Sequence, residues 1–223
     1  MGDVSSRRRR AALAGHTGDA TVARDLLGDE DPAVQATALG ALGRLGQATA
    51  TDVAAALADP EPTVRRRACQ AAVTVDGVDL VPLLGDPDAA VVETAAWALG
   101  ERADRSEAGA ADDVVARLAE VAVGHDDALC REAAVAALGA IGDERGLPAI
   151  LAATRDRPAV RRRAVIALAP FSGPEVDAAL AVALDDRDWQ VRQAGEDLLS
   201  AAGEVGGGGS GESALGAHEE DLE

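Results

Sequence analysis

The side chains best suited to catalysis or metal binding in this chain are three histidines and two cysteines. Their spacing in the sequence is not typical of a reactive site. His16, His125 and His218 lie far apart, without the short spacing to other ligands that zinc sites require. Cys69 and Cys130 have no histidine beside them in sequence to activate a thiolate. The many carboxylates fall in turns, where helix capping accounts for them. We therefore expect no metal site, no cofactor and no enzymatic activity.

The composition favours an all-α protein. Hydrophobic residues make up 48% of the 223 residues, but aromatic residues make up only 1%. The core must therefore consist of alanine, valine and leucine. Such small side chains suit close contact between helices, whereas β-sandwiches are richer in aromatic and β-branched residues.

The charge is strongly acidic, with 39 acidic residues, 21 basic residues that are all arginine, and a net charge of -18. A surface of this sign repels nucleic acids and anionic lipids, so nucleic acid is an unlikely partner. No apolar run approaches the ~20 residues of a membrane span. The acidity and the absence of lysine favour a halophilic archaeon, with a high-GC bacterium as the alternative. The two cysteines, at apolar positions of the repeat, predict a cytoplasmic protein.

A pattern of about thirty residues recurs six times. It comprises an acidic turn, often a proline, an apolar anchor and an alanine-rich run. Apolar residues follow each anchor at +4, +8 and +11, which places them on one face of a helix. The anchors are Val34, Val64, Val91, Cys130, Val160 and Val191.

Shorter apolar segments between the anchored helices predict a partner helix for each copy. They are Val22 to Leu27, Val53 to Leu57, Val78 to Leu84, Val114 to Val121, Leu147 to Leu151 and Val176 to Leu184. Because one pair of this length cannot bury its apolar face alone, the pairs must stack. The sequence therefore predicts an α-solenoid, or superhelix, of about six helix pairs.

The chain divides into three parts on composition. Residues 1–17 predict an arginine-rich capping helix, and residues 18–203 form the repeat domain. Residues 204–223 predict a flexible glycine-rich linker and an acidic tail. One repeat is lengthened by residues 101–111, which predict a protruding loop.

The stretch Asp127 to Gly142, with Arg131 and Ala137-Leu138-Gly139, resembles the short HEAT repeat of the phycobilin-lyase type. The resemblance extends over roughly residues 18–203. Repeats of this type are found in bilin-lyase subunits, in deoxyhypusine hydroxylase and in prokaryotic adaptors of signalling and taxis complexes, so the resemblance implies the fold more than the function. The hydroxylase holds iron with His-Glu pairs. The matching helix starts here carry no histidine: Arg65-Arg66, Glu93-Thr94, Arg131-Glu132 and Arg161-Arg162.

The residue after each anchor is usually arginine: Arg65, Arg131, Arg161 and Arg192. In this repeat family, that arginine bonds the aspartate of a neighbouring turn and forms a ladder along the stack. Gln35 and Val92 depart from the pattern, so we expect the ladder to be interrupted at the first and third repeats.

Positions +2 and +6 from the anchor lie opposite the buried face and are predicted to face a concave groove. Trp97 occupies the middle of this row, where an exposed tryptophan flanked by arginines is typical of a binding hot spot. The alternative is that Trp97 packs onto adjacent repeats. The candidate partner-binding residues are Trp97, Arg66, Arg67, Gln70, Glu93, Arg162, Arg163, Ile166 and Trp189.

These features predict a non-catalytic scaffold or adaptor, monomeric, whose groove binds an acidic or amphipathic helix of a partner protein, in a signalling or taxis (chemotaxis) complex. Two alternatives remain. A bilin-lyase-like subunit would need a chromophore pocket and a partner subunit. A nucleic-acid-binding HEAT protein would use the arginine clusters at residues 7–10, 65–67 and 161–163.

Overall fold

In a computed structural model, residues 3–103 and 112–207 are described, and within these ranges the chain is helical without any strand. Short 3-10 helices span Leu26–Gly28, Val81–Gly85 and Glu144–Gly146. The all-α prediction is confirmed. The α-helices are α1 (Val4–Thr17), α2 (Ala20–Asp25), α3 (Pro32–Arg44), α4 (Ala50–Leu57), α5 (Pro62–Ala72), α6 (Ala89–Glu101), α7 (Asp112–Gly124), α8 (Ala128–Ile141), α9 (Leu147–Ala153), α10 (Pro158–Ala167), α11 (Pro174–Leu184) and α12 (Trp189–Gly207).

The helices form two rows, as the solenoid prediction requires. The principal row is α1, α3, α5, α6, α8, α10 and α12, in which each helix contacts the next. The second row, which packs against the principal row, is α2, α4, the 3-10 helix Val81–Gly85, α7, α9 and α11. All six anchors are buried. A single apolar cluster reaches from Leu39 to Ala194, so the repeats share one core along most of the stack.

Capping residues and glycines mark the helix ends where the sequence places them. The carboxylates of Asp31, Asp88 and Asp127 accept hydrogen bonds from backbone N–H groups of the first turns of α3, α6 and α8. Gly46 and Gly142 follow α3 and α8 with φ angles of 65° and 67°. That left-handed conformation favours glycine and stops the helix.

Two predicted elements differ in the structure. The segment Val78 to Leu84 forms a 3-10 helix, Val81–Gly85, because the third repeat has the shortest interval and Pro82 lies near its start. Helix α12 ends at Gly207, beyond the predicted end at Gly203. The predicted loop at residues 101–111 lies mostly outside the described residues, as does the tail at residues 208–223.

Turn-to-turn ion pairs connect successive repeats, as predicted. The arginine after the anchor donates two hydrogen bonds to an aspartate of the next turn and one or more to backbone carbonyls of its own turn. In each pair the two side chains are largely buried. The shortest distances are 2.7 Å for Arg65–Asp86, 2.6 Å for Arg131–Asp156 and 2.7 Å for Arg161–Asp186.

The ladder is interrupted at the two predicted repeats. Gln35 donates only to the carbonyl of Asp29 in its own turn, and Val92 is buried. In the turn that follows Val92, the aspartate position holds His125, whose Nδ1 accepts the backbone N–H of Asp127. The missing arginine therefore coincides with a missing aspartate. Arg192 donates to the carbonyl of Asp186 in its own turn.

Helices of the principal row approach one another where glycine and alanine meet. A β-carbon placed on Gly139 of α8 would lie 2.7 Å from Cα of Ala167 on α10. A β-carbon on Gly100 of α6 would lie 2.9 Å from Cα of Ala137 on α8. At such distances the backbones are in contact, and no larger side chain fits without separating the helices.

Gly139→Ala should destabilise the protein by about 1–3 kcal/mol, because the added methyl group overpacks the contact between α8 and α10. The control is Gly43→Ala. Gly43 occupies the same repeat position in α3, but its added β-carbon meets nothing within 4 Å. That change should stabilise the protein by up to ~1 kcal/mol through helix propensity. Urea unfolding measures both effects, and destabilisation of similar size in both variants would contradict the packing account.

Asp186→Asn should destabilise the fold by about 2 kcal/mol at neutral pH, because it removes charge-assisted hydrogen bonds from Arg161. The hydrogen bond from Arg161 lowers the pKa of Asp186 below its ordinary value. The stabilisation is therefore present above the unfolded-state pKa of about 4 and is lost as pH falls through the folded-state pKa.

The difference between wild type and Asp186→Asn should consequently shrink below about pH 4. Urea unfolding at several pH values measures it. The control is Asp185→Asn, which removes an exposed carboxylate one position earlier. An effect of Asp186→Asn that is independent of pH, or equal to that of the control, would contradict a role for the ion pair.

Candidate partner-binding surface

Within the described residues, most of the candidate residues fall in three depressions along the principal row. The central depression, about 630 Å³, is lined by α5, α6, α8 and α10. The N-terminal depression, about 440 Å³, is lined by α1, α3 and α5. The C-terminal depression is lined by α10, α12 and Ala169. The candidate residues are therefore divided among separate sites on one surface.

Trp97 lies in the central depression, 42% exposed. Gln70, Glu93 and Arg163 from the predicted row share this depression. Its apolar surface is completed by Leu129, which is 56% exposed, and by small residues of α8. An indole with this exposure is available to a ligand, while part of its ring still packs against the protein.

The described lining of the depression around Trp97 contains more carboxylates than arginines. Glu93 and Glu101 lie one helical turn before and after it on α6, and Glu132 adds a third carboxylate from α8. The Nη2 atom of Arg163 lies 3.4 Å from Oε1 of Glu132, and this carboxylate offsets part of the positive charge of Arg163. Of the predicted flanking arginines, Arg163 shares the depression of Trp97, whereas Arg67 and Arg162 line other depressions, because neighbouring positions on one helix face different directions.

The C-terminal depression contains three of the other candidates. Arg162, Ile166 and Trp189 line it together with residues of α12. Ile166 is 40% exposed, and Trp189, the first residue of α12, is 64% exposed. Arg162 and Arg163 are adjacent in sequence but face different depressions.

The N-terminal depression contains Arg67 and a group of residues that were not among the candidates for binding a partner protein. Arg67 donates a hydrogen bond of 2.7 Å to Gln70 Oε1, which joins this depression to the central one. Burial, and then the charges of Arg66 and Arg44, lower the pKa of Arg67. Arg66 is exposed outside these linings. The additional basic residues are Arg8, Arg9, His16 and Arg44.

These residues were missed because α1 was not recognised as part of the principal row. Helix α1 packs on α3, and Arg7 pairs with Asp29 at 2.8 Å. That pairing spans 22 residues, close to the 21 residues of Arg65–Asp86 and the 25 of Arg131–Asp156. The spacing from arginine to aspartate could have revealed α1 as one more ladder-forming helix.

The described cysteines and acidic residues do not form a reactive centre. Within residues 3–103 and 112–207, no group of three or more histidine, cysteine, aspartate and glutamate side chains is arranged to hold a metal ion. Both thiols are free and buried, and Cys130 donates to the carbonyl of Ala89. Burial raises the pKa of Cys69 to about 12 and that of Cys130 to about 11. Neither thiol is poised as a nucleophile.

The sequence profile of HEAT repeats matches residues 3–74, 78–158 and 115–200. The chain belongs to the HEAT repeat family. The first match includes α1, in agreement with its place in the principal row. A comparison with curated proteins gave no match.

Solved structures share the fold at low sequence identity. The structure of Escherichia coli YibA superposes with a TM-score of 0.66 at 17% identity, covering 92% of this chain and 78% of that one. An engineered protein superposes with a TM-score of 0.59 at 19% identity, covering 90% of this chain and 66% of that one. Human deoxyhypusine hydroxylase in complex with glycerol superposes with a TM-score of 0.47 at 22% identity, covering 89% of this chain and 79% of that one. For YibA and the engineered protein, the likeness at these identities concerns the fold alone.

None of the described helices combines the length and apolar character needed to cross a bilayer.

Both thiols should resist Ellman's reagent in the folded protein at pH 8, because burial hinders access and keeps them protonated. Addition of denaturant without a reductant should release two reactive thiols per chain, since both cysteines are free. Absorbance at 412 nm measures the count. A rapid reaction of either thiol before unfolding would contradict its burial.

Proposed function

We propose that the chain is a non-catalytic scaffold that binds a segment of a partner protein along its principal row. The observation that supports this proposal is Trp97, which is 42% exposed in a depression of about 630 Å³. Large aromatic residues in depressions are enriched among binding hot spots. The proposal includes no catalytic step, and among the described residues it is supported by the burial of both thiols.

The chemistry of the central depression favours an amphipathic helix with an apolar anchor. Trp97 and Leu129 offer apolar contacts, and the small side chains of Ala133 and Ala136 leave room between α6 and α8. Helices bind such grooves through apolar residues spaced one turn apart. The carboxylates of Glu93, Glu101 and Glu132 favour a basic residue beside the anchor, which could also lie against the indole ring.

The proposed setting is a cytoplasmic adaptor, in a signalling or taxis complex, that acts as a monomer. Repeats of the phycobilin-lyase type, which Asp127 to Gly142 resembles, are found in prokaryotic adaptors of such complexes as well as in enzymes. The net charge of -18 and the absence of lysine support a halophilic source. These features concern the environment of the protein rather than the identity of its partner.

The proposal is tested with peptides selected from a displayed library of random twelve-residue sequences against the full chain. Trp97→Ala should weaken the selected peptides about thirtyfold, which corresponds to a hot-spot loss of ~2 kcal/mol. Leu129→Glu should also weaken them, because it places a charge on the apolar surface of the same depression. Titration calorimetry measures the affinities, and circular dichroism verifies that each variant remains helical.

Trp189→Ala is the matched control, because it removes an exposed tryptophan from a different depression. Its effect on the same peptides should stay within about twofold. Since the chain has two tryptophans and no tyrosine, Trp189→Phe leaves Trp97 as the only indole emitter. Peptide binding should then shift its emission to shorter wavelength. Unchanged affinity in both Trp97→Ala and Leu129→Glu would refute the proposed site.

A further inference from the structure

We infer that the N-terminal depression is a separate binding site for a short acidic segment of a partner protein. Arg8 and Arg9 from α1, Arg44 from α3 and Arg67 from α5 converge on it, together with His16. The remaining lining residues are Ser5, Ala12, Thr37 and Gly40, so none of the described lining residues is a carboxylate. This is a concentration of positive charge on a protein whose net charge is -18.

These arginines differ from those of the ladder in their pairing. Arg65, Arg131 and Arg161 are each paired with an aspartate. Within the described residues, no carboxylate forms a salt bridge with Arg8, Arg9, Arg44 or Arg67. Four guanidinium groups without acidic partners repel one another, and an acidic ligand would relieve that repulsion.

Two of the guanidinium groups lie against glycines, whose missing side chains leave room for them. Arg44 Nη1 lies 2.7 Å from the position that a β-carbon would take on Gly15 of α1. Arg67 Nε lies 3.3 Å from the corresponding position on Gly40 of α3. Each arginine therefore lies across the neighbouring helix, in space that any larger residue would fill. Such positioning reduces the entropy that a side chain loses on binding.

The dimensions fit a short segment. The depression spans α1, α3 and α5, which is two helix spacings of about 8–10 Å. That distance, roughly 20 Å, corresponds to about six residues of extended chain. Beyond α5 the surface becomes acidic at Glu93, Glu101 and Glu132. A longer polyanion would meet these carboxylates and be repelled.

The chemistry favours carboxylates on a peptide over a nucleic acid. Arginine guanidinium groups form paired hydrogen bonds with carboxylates and phosphates alike, so the discrimination must come from the rest of the lining. Sites for single-stranded nucleic acid usually add aromatic side chains on which bases stack. Among the residues that the structure describes in this lining, there is no tryptophan, tyrosine or phenylalanine, and the imidazole of His16 is the one ring suited to stacking.

Fluorescence anisotropy with fluorescein-labelled octaglutamate and octathymidylate tests the inference on the full chain. Octaglutamate should bind, and its affinity should fall as salt is raised from 50 to about 300 mM. Arg44→Gln with Arg67→Gln should weaken it about tenfold or more, through loss of charge-assisted hydrogen bonds. The matched control is Arg155→Gln with Arg187→Gln, which removes two exposed positive charges elsewhere and should change the affinity less than about threefold.

Trp97→Ala should leave octaglutamate binding unchanged, because Trp97 lies in the central depression. A wrong assignment of the central depression is therefore distinguishable from a wrong assignment of the N-terminal depression. Circular dichroism establishes that the arginine variants are folded. Three results would overturn the inference. These are no salt-dependent binding of octaglutamate, equal weakening by the control pair, or tighter binding of octathymidylate than of octaglutamate.

Discussion

The close approach of successive principal-row helices is the constraint on which the rest of the structure depends. With aromatic residues at only 1%, the core cannot be filled by a few large side chains. Backbone contacts such as Gly139 against Ala167, and Gly100 against Ala137, bring the helices together instead. The same small side chains leave depressions on the surface, because Ala133, Ala136 and Ala140 fill little of the space around Trp97. The close packing of the helices and the depressions on their surface therefore share one compositional cause.

The arginine–aspartate ladder complements this packing at the turns. Small apolar surfaces are poor at fixing register, since an alanine-rich helix can slide against another with little loss of contact. Paired hydrogen bonds from an arginine to an aspartate have a defined geometry and lose strength if the helices move. The ladder thus fixes the relative position of neighbouring repeats. The ladder arginines are paired with aspartates, whereas the arginines of the N-terminal depression form no salt bridge within the described residues. The two groups are therefore distinguished by their pairing.

Much of the fold could be predicted because its signals are local and repeated. The anchors, the caps at Asp31, Asp88 and Asp127, and the interruption at Val92 all follow from residue type and period. The candidate site could be predicted less well, because a groove joins side chains from several helices. Neighbouring positions on one helix face different depressions, as Arg162 and Arg163 do, and the repeat period alone does not show where those depressions lie. Helix α1 was not predicted to be part of the principal row, because its anchor position holds Ser6 rather than valine.

The central claim is that the principal row, and not the second row, is the binding surface. Hydrogen–deuterium exchange of the full chain, with and without a peptide that binds it, tests this claim most directly. The account predicts slower exchange in α5, α6 and α8, at the peptides that contain Gln70, Trp97 and Leu129, with little change in α4, α7 and α9. Protection confined to α4, α7 and α9 would contradict it.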